Sequence, residues 1–243
     1  MSVAEHRQSS HSAYRRHLTA AVAITGAVWL WMRLVGIVLG QSAIAGPFVT
    51  GAPVLRDVGV QVLKALFAVG VVVGYARVFD ISSPVEWMRI RRPVGSEWAY
   101  IPLGFLVSFL WLLGSLIFIQ DVLGLERTAS EVVTMSQRVR ISRILTLLLL
   151  VGPAEELISH GIIQRSLEEV TGLRTAILLG GLLFAVPHIV PAALGAGDLL
   201  FYGAQGGFGV IAGWIYARTD NLTVPALVHG IFISFTTALP LLG

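Results

Sequence analysis

The chain has 243 residues, 55% of them hydrophobic and only 13% charged, with a mean hydropathy of +0.79. Soluble domains carry about 25% charged residues, so a soluble enzyme is excluded in favour of an integral membrane protein. The absence of cysteine removes disulfides, thiolate nucleophiles and Cys-based metal sites. The net charge of +3 reads as membrane orientation and gives no nucleic-acid footprint.

Residues 1–17, with Arg7, Arg15 and Arg16, read as a basic polar tail. An apolar run follows from Leu18 to Gly40, and Ala43-Ile44-Ala45 resembles a signal-peptidase site. Signal h-regions extend only ~7–15 residues; this run is longer and contains Arg33, so a retained first span is expected. Further candidate spans are 60–79, 99–119, 142–163, 174–190, 200–217 and 222–242, each approaching the ~20 residues a ~30 Å hydrocarbon core requires. The stretch 191–199 reads as a re-entrant or interfacial bend. Long apolar runs without strict alternation exclude a barrel. The expected fold is therefore all-α, a polytopic transmembrane bundle of about seven to eight membrane helices. Three regions are expected: the tail, N-terminal membrane helices over 18–141, and a core over 142–243.

Basic residues alternate between sides. Arg15 and Arg16 precede the first span, Arg89, Arg91 and Arg92 follow the second, Arg165 and Arg174 flank the loop after the fourth, and Arg218 follows the sixth. The positive-inside rule places these segments and the N-terminus in the cytoplasm. Arg138, Arg140 and Arg143 violate the rule and are expected on a helix lying along the interface, with snorkelling side chains. Lys64 and Arg33 are isolated charges read as snorkelling or pairing. No internal repeat is visible.

Most of the buried polar groups of interest fall in the second half. Glu155 and Glu156 interrupt a run otherwise apolar from Ile144 onward. One ionised side chain at mid-bilayer costs roughly 2.5–3.5 kcal/mol on insertion scales, and such residues mark functional sites by default. His160 lies four residues beyond Glu156, on the same helix face. His188 ends the fifth span and His229 sits in the seventh. Rise per residue puts Glu155 and His229 both ~10–12 Å below one face, whereas His188 lies ~21 Å deep on a straight path. Tilt or a break at Pro187 must close that gap. Interhelical polar contacts in membranes average only ~0.6 kcal/mol, too little to account for such groups on three helices. A carboxylate with imidazoles and no nucleophile suits hydrolysis by activated water, with or without zinc. Ser159 is nearby but lacks a strand-to-helix elbow.

At these residues the sequence resembles the CAAX protease and bacteriocin-processing family of intramembrane proteases, which includes the eukaryotic Ras-converting enzyme. That family carries Glu-Glu-x-x-x-Arg, then Phe-x-x-x-His, then a His followed four residues later by Asn or Asp. Glu155 and Glu156 in PAEELISHG, Phe184 and His188 in LLFAVPH, and His229 in NLTVPALVHG correspond in order. The resemblance covers roughly 142–237 and includes the turn at Asn221. It implies a catalytic cavity opening to the cytosol, with Glu155 as base, His188 its partner, Glu156 supporting, and His229 an oxyanion donor or metal ligand. His160, Phe184 and Asn221 would support the site. A Zn2+ ion, if used, would be held by Glu156, His188 and His229. Two positions depart from the pattern: His160 replaces the Arg and Ile233 replaces the Asn or Asp, with Ser234 turned about 100° away.

The expected function is an intramembrane endopeptidase acting on a membrane-embedded or lipid-anchored peptide or protein, with the lipid bilayer as its other partner and no nucleic acid. The alternatives are a catalytically degenerate relative that binds a membrane partner, and a proton-coupled transporter. The family name does not fix a prenylated substrate.

Overall fold

Helix breaks fall where proline, glycine and left-handed backbone make them inexpensive. The computed structural model describes residues 12–35, 52–128 and 135–241, with helical backbone also over 3–11 and 36–40. Helix α1 is Val3–Gly40, and α2 is Pro53–Val78, which starts on a proline whose missing N–H would be unpaired there in any case. A short α3, Pro84–Trp87, begins after Ser83, whose hydroxyl accepts from the Glu86 N–H at 3.4 Å. After a 3₁₀ turn at Gly95–Ala99, α4 runs Tyr100–Ile117 and widens into a π turn over Phe118–Val122.

Helix α5 is one continuous rod over 137–171. It is built from Gln137–Thr146, a π turn Leu147–Val151, Gly152–Glu156, a second π stretch Leu157–Gln164, and Arg165–Thr171. Gly172, at φ 84°, ends it. Helix α6 is Leu173–Ala185, tightening into a 3₁₀ turn at Val186–His188. Helix α7, Ala196–Thr219, stops at Asp220 in the left-handed region, and α8 is Thr223–Ala238. All regular structure among the described residues is helical, as the sequence predicts.

Among the described residues, four stretches are long and apolar enough to cross a membrane: Ser12–Val35, Pro53–Val78, Gly95–Val122 and Thr223–Leu241. Leu173–His188 is apolar but shorter. The outward faces of α2 and α4 are paved with exposed Leu, Val and Trp, such as Leu66, Val69, Leu106 and Trp111. Contiguous apolar surface on that scale needs a lipid or protein cover. The buried polar side chains instead gather around α5, α7 and α8.

Small residues bring these inner helices together. A Cβ on Gly152 of α5 would lie 2.6 Å from the Gly230 Cα of α8, and one on Gly209 of α7 would lie 2.8 Å from the Phe184 Cβ of α6. Such contacts let backbones approach where lipid offers no hydrophobic driving force.

Three expectations change. The basic N-terminal stretch is not a separate tail, because α1 already runs from Val3. Its end is built into the bundle: Arg16 donates to the Val78 carbonyl, and His17 sits 2.8 Å from the Ser166 hydroxyl and 3.3 Å from Glu169. Arg140 and Arg143 do not lie on an interfacial helix; they occupy the first turns of α5. Arg143 Nε donates to Asp57 of α2 at 2.9 Å and Arg140 to the Thr237 carbonyl at 3.2 Å. Partners on neighbouring helices satisfy these cations, so no interfacial element is needed to hold them. Residues 191–195 form a turn and a bend that lead directly into α7, which already includes 196–199. Ala43-Ile44-Ala45 lies outside the described residues.

Candidate functional site

Pro153 shapes the entry to the site. It has no N–H to give and its ring crowds the carbonyl four residues back. The preceding turn opens into a π turn, with the Gly152 N–H reaching the Leu147 carbonyl. Such turns displace the register of a helix and recur at functional sites. Immediately afterwards come Glu155 and Glu156, which successive helical positions turn about 100° apart. They therefore face different neighbours.

Glu156 is fully buried between two imidazoles. Its Oε1 lies 2.9 Å from His229 Nδ1 on α8, and its Oε2 lies 2.6 Å from His160 Nδ1 one turn along α5. The other nitrogen of His160, Nε2, donates to the Gly209 carbonyl of α7 at 2.9 Å. A carbonyl only accepts, so that nitrogen carries hydrogen. A nitrogen–oxygen contact of 2.6 Å on the opposite side then also holds a proton, shared between imidazole and carboxylate. His160 thus supplies at its position what an Arg would supply, a donor that satisfies a buried carboxylate. An unpaired charge there would be strongly destabilising.

Glu155 faces the other way and retains 25% side-chain exposure. It lines a cavity of about 30 Å³ together with His188, Ser159, Phe184 and Met32 of α1, which is room for a water or two. His188 donates from Nδ1 to the Phe184 carbonyl at 2.9 Å, so in the neutral ring Nε2 is left as an acceptor. His229 Nε2 lies 3.7 Å from Glu155 Oε2, in electrostatic reach but beyond a hydrogen bond. Glu155 and His229 are level, as the depth estimate expects. His188 joins them because α6 stops at Ala185 and Pro187 lies in a tighter 3₁₀ turn.

Phe184 holds these rings apart. Its centroid is 5.0 Å from His188, 5.6 Å from His229 and 6.2 Å from His160, and Phe208 covers His229 at 4.8 Å. Asn221 is engaged elsewhere. Its amide donates to Glu97 at 3.0 Å and its carbonyl accepts from the Thr223 N–H at 3.1 Å. Glu97 also binds Arg91 at 2.6 Å, so Asn221 ties the turn before α8 to the start of α4. Ile233 packs with the cluster of Phe184, Phe208 and Phe232, and the Ser234 hydroxyl donates to the Ile144 carbonyl at 2.9 Å. Neither offers a donor beside His229.

The first helices bring groups that motif reading leaves out. Trp29 Nε1 donates to the Ile189 carbonyl at 3.1 Å, and Arg33 to the Pro187 carbonyl at 3.1 Å. These contacts pin the turn that carries His188. Lys64 of α2 lines a second small cavity that also contains Glu155. The signal in the sequence was the heptad spacing of Asp57, Gln61, Lys64, Ala68 and Tyr75.

The donor geometry does not fit zinc. Both oxygens of Glu156 are occupied by imidazoles, and the described residues contain no group of three His, Cys, Asp or Glu placed to hold a metal ion. A catalytic zinc needs three protein ligands, and Glu156, His188 and His229 do not provide them.

A helical membrane bundle with a buried Glu–His cluster, open on one side to a small, mostly apolar cavity, is the class that fold and site define. Residues 137–235 match the family described as Type II CAAX prenyl endopeptidase Rce1-like. That segment spans α5 to α8 and contains all three motifs that carry the resemblance. No curated protein matches the chain, and no solved structure does.

Proposed function

We propose that the protein is an intramembrane endopeptidase that hydrolyses a peptide bond of a membrane-associated substrate with water activated by Glu155. The observation that supports this most is the shared cavity of Glu155 and His188, two acceptors around a space of about 30 Å³. A water there donates one hydrogen to each. As its oxygen attacks the scissile carbonyl, the proton passes to the Glu155 carboxylate, which later returns it to the leaving amine. His229, held through Nδ1 by Glu156, presents Nε2 toward the same side and stabilises the developing oxyanion when that nitrogen carries hydrogen. Glu156 and His160 position His229 without touching the substrate. No step runs through a metal. The basic-residue pattern puts the N-terminus in the cytoplasm of a multi-pass arrangement.

The test uses the full chain in lipid nanodiscs with two fluorescence-quenched peptides, one farnesylated at a C-terminal CAAX sequence and one carrying a transmembrane segment instead. Cleavage of either that Glu155→Gln abolishes supports the reading; undiminished cleavage by Glu155→Gln excludes Glu155 as base. A second reading has one observation behind it. Ile233 sits in an aromatic cluster where the family keeps a polar donor, which favours a relative that binds a membrane peptide without cutting it. Saturable binding of either peptide with no product by mass spectrometry would support that version.

A further inference from the structure

Lys64 lies in the middle of α2, eleven residues from Pro53 and fourteen from Val78, so about 16 and 21 Å from the two ends. It does not lie on the lipid-facing side. Asp57, Gln61, Ala68 and Tyr75 are buried, and position 64 falls on the same heptad stripe, whereas Val62, Leu63, Leu66 and Val69 are exposed. The lysine enters a cavity of about 30 Å³ shared with Glu155, Trp31, Phe67 and Ala154. Lys64 is the one cation lining it.

Lys64 shares its cavity with Glu155, and Arg143, Asp57, Arg33 and His188 stand within electrostatic reach. Two of the others are already engaged with each other, because Arg143 is paired with Asp57. Arg33 is turned to the Pro187 carbonyl. Glu155 is thus left as the acidic group that shares a cavity with Lys64, and it lines both small cavities, one with Lys64 and one with His188.

We propose that Lys64 is a positioning residue for Glu155, a cation from outside the family-matched segment that holds the carboxylate in place across their shared cavity and offsets the cost of a charge at membrane depth. This deepens the peptidase reading and rests on it for its kinetic part. Lys64 acts through Glu155 and touches neither water nor substrate. Its loss lowers the rate of the chemical step and leaves substrate binding alone.

The experiment compares the full chain with Lys64→Gln, Lys64→Arg, Glu155→Gln and the double variant Lys64→Gln/Glu155→Gln, all in nanodiscs. Thermal unfolding comes first, since it needs no activity. Lys64→Gln lowers Tm, and adding it to Glu155→Gln produces a clearly smaller drop than it does alone. Cleavage of the farnesylated quenched peptide comes second. Lys64→Gln lowers kcat about 10- to 100-fold, the range seen when an orienting partner is removed, with KM unchanged, and Lys64→Arg recovers most of the loss. Additive Tm changes overturn the pairing. Coupled Tm changes with an unaltered kcat reduce Lys64 to a structural residue and overturn the positioning role. If Glu155→Gln cleaves as well as the parent chain, the peptidase reading fails, while the unfolding comparison still decides the pair.

Discussion

The segment from 137 to 235 and the helices before it contribute differently to the same pocket. The later segment supplies every group carried by a motif: Glu155 and Glu156, His160, His188 and His229. It holds them with backbone contacts and with hydrogen bonds among themselves. The earlier helices supply no motif, yet they close the pocket. Trp29 and Arg33 fasten the turn of His188, Met32 walls the cavity, and Lys64 faces Glu155. The titratable groups of the pocket are concentrated in one half of the chain, and part of the wall around Glu155 comes from the other.

This contrast can be broken or sharpened by four substitutions. The largest effect is expected from Glu155→Gln, which removes the proposed general base and is expected to cost about 10²–10⁴ in the rate of peptide cleavage. A loss under tenfold would place the base elsewhere. Next is His160→Ala, which strands a fully buried carboxylate between one imidazole and a void. About 3–5 kcal/mol of stability is expected to go, visible as a large fall in the unfolding temperature; an unchanged temperature would mean that Glu156 is not charged or not enclosed. Gly230→Ala comes third. The new Cβ would lie 2.8 Å from the Leu148 carbonyl, and overpacking of this kind costs about 1–3 kcal/mol. The smallest is Trp29→Phe, which keeps the ring's bulk and loses one hydrogen bond to the Ile189 carbonyl, worth ~0.6 kcal/mol by the average for membrane helices. Its diagnostic is a modest fall in cleavage rate with little change in unfolding. A loss as large as that of Glu155→Gln would show that the first helix does more than fasten the turn.

The fold was legible because membrane helices announce themselves by length: each expected span falls on a helix. The level placement of Glu155 and His229 was legible too, since rise per residue fixes depth on a straight helix. His188 was not, because its depth depends on how sharply the chain turns at Pro187, which periodicity does not report. Lys64 was hidden by treating a single charge in isolation. Its place is read from the stripe with Asp57 and Gln61, and from the cavity it shares with Glu155, far away in sequence. His160 looked like a defect when set against an Arg, because the sequence does not reveal that Gly209 offers a carbonyl to its second nitrogen. Asn221 looked like part of the site from its place beside the last motif, but its partners Glu97 and Thr223 fasten a turn.

The contact of Gly152 with Gly230 has a mechanical consequence. With no side chain between them, α5 and α8 approach backbone to backbone, and both carboxylates and His229 ride on that closely packed pair. The two small cavities beside Glu155 are walled instead by Val28, Met32 and Lys64 of the first two helices. The half of the chain without motifs is thus a wall of the site that the other half carries.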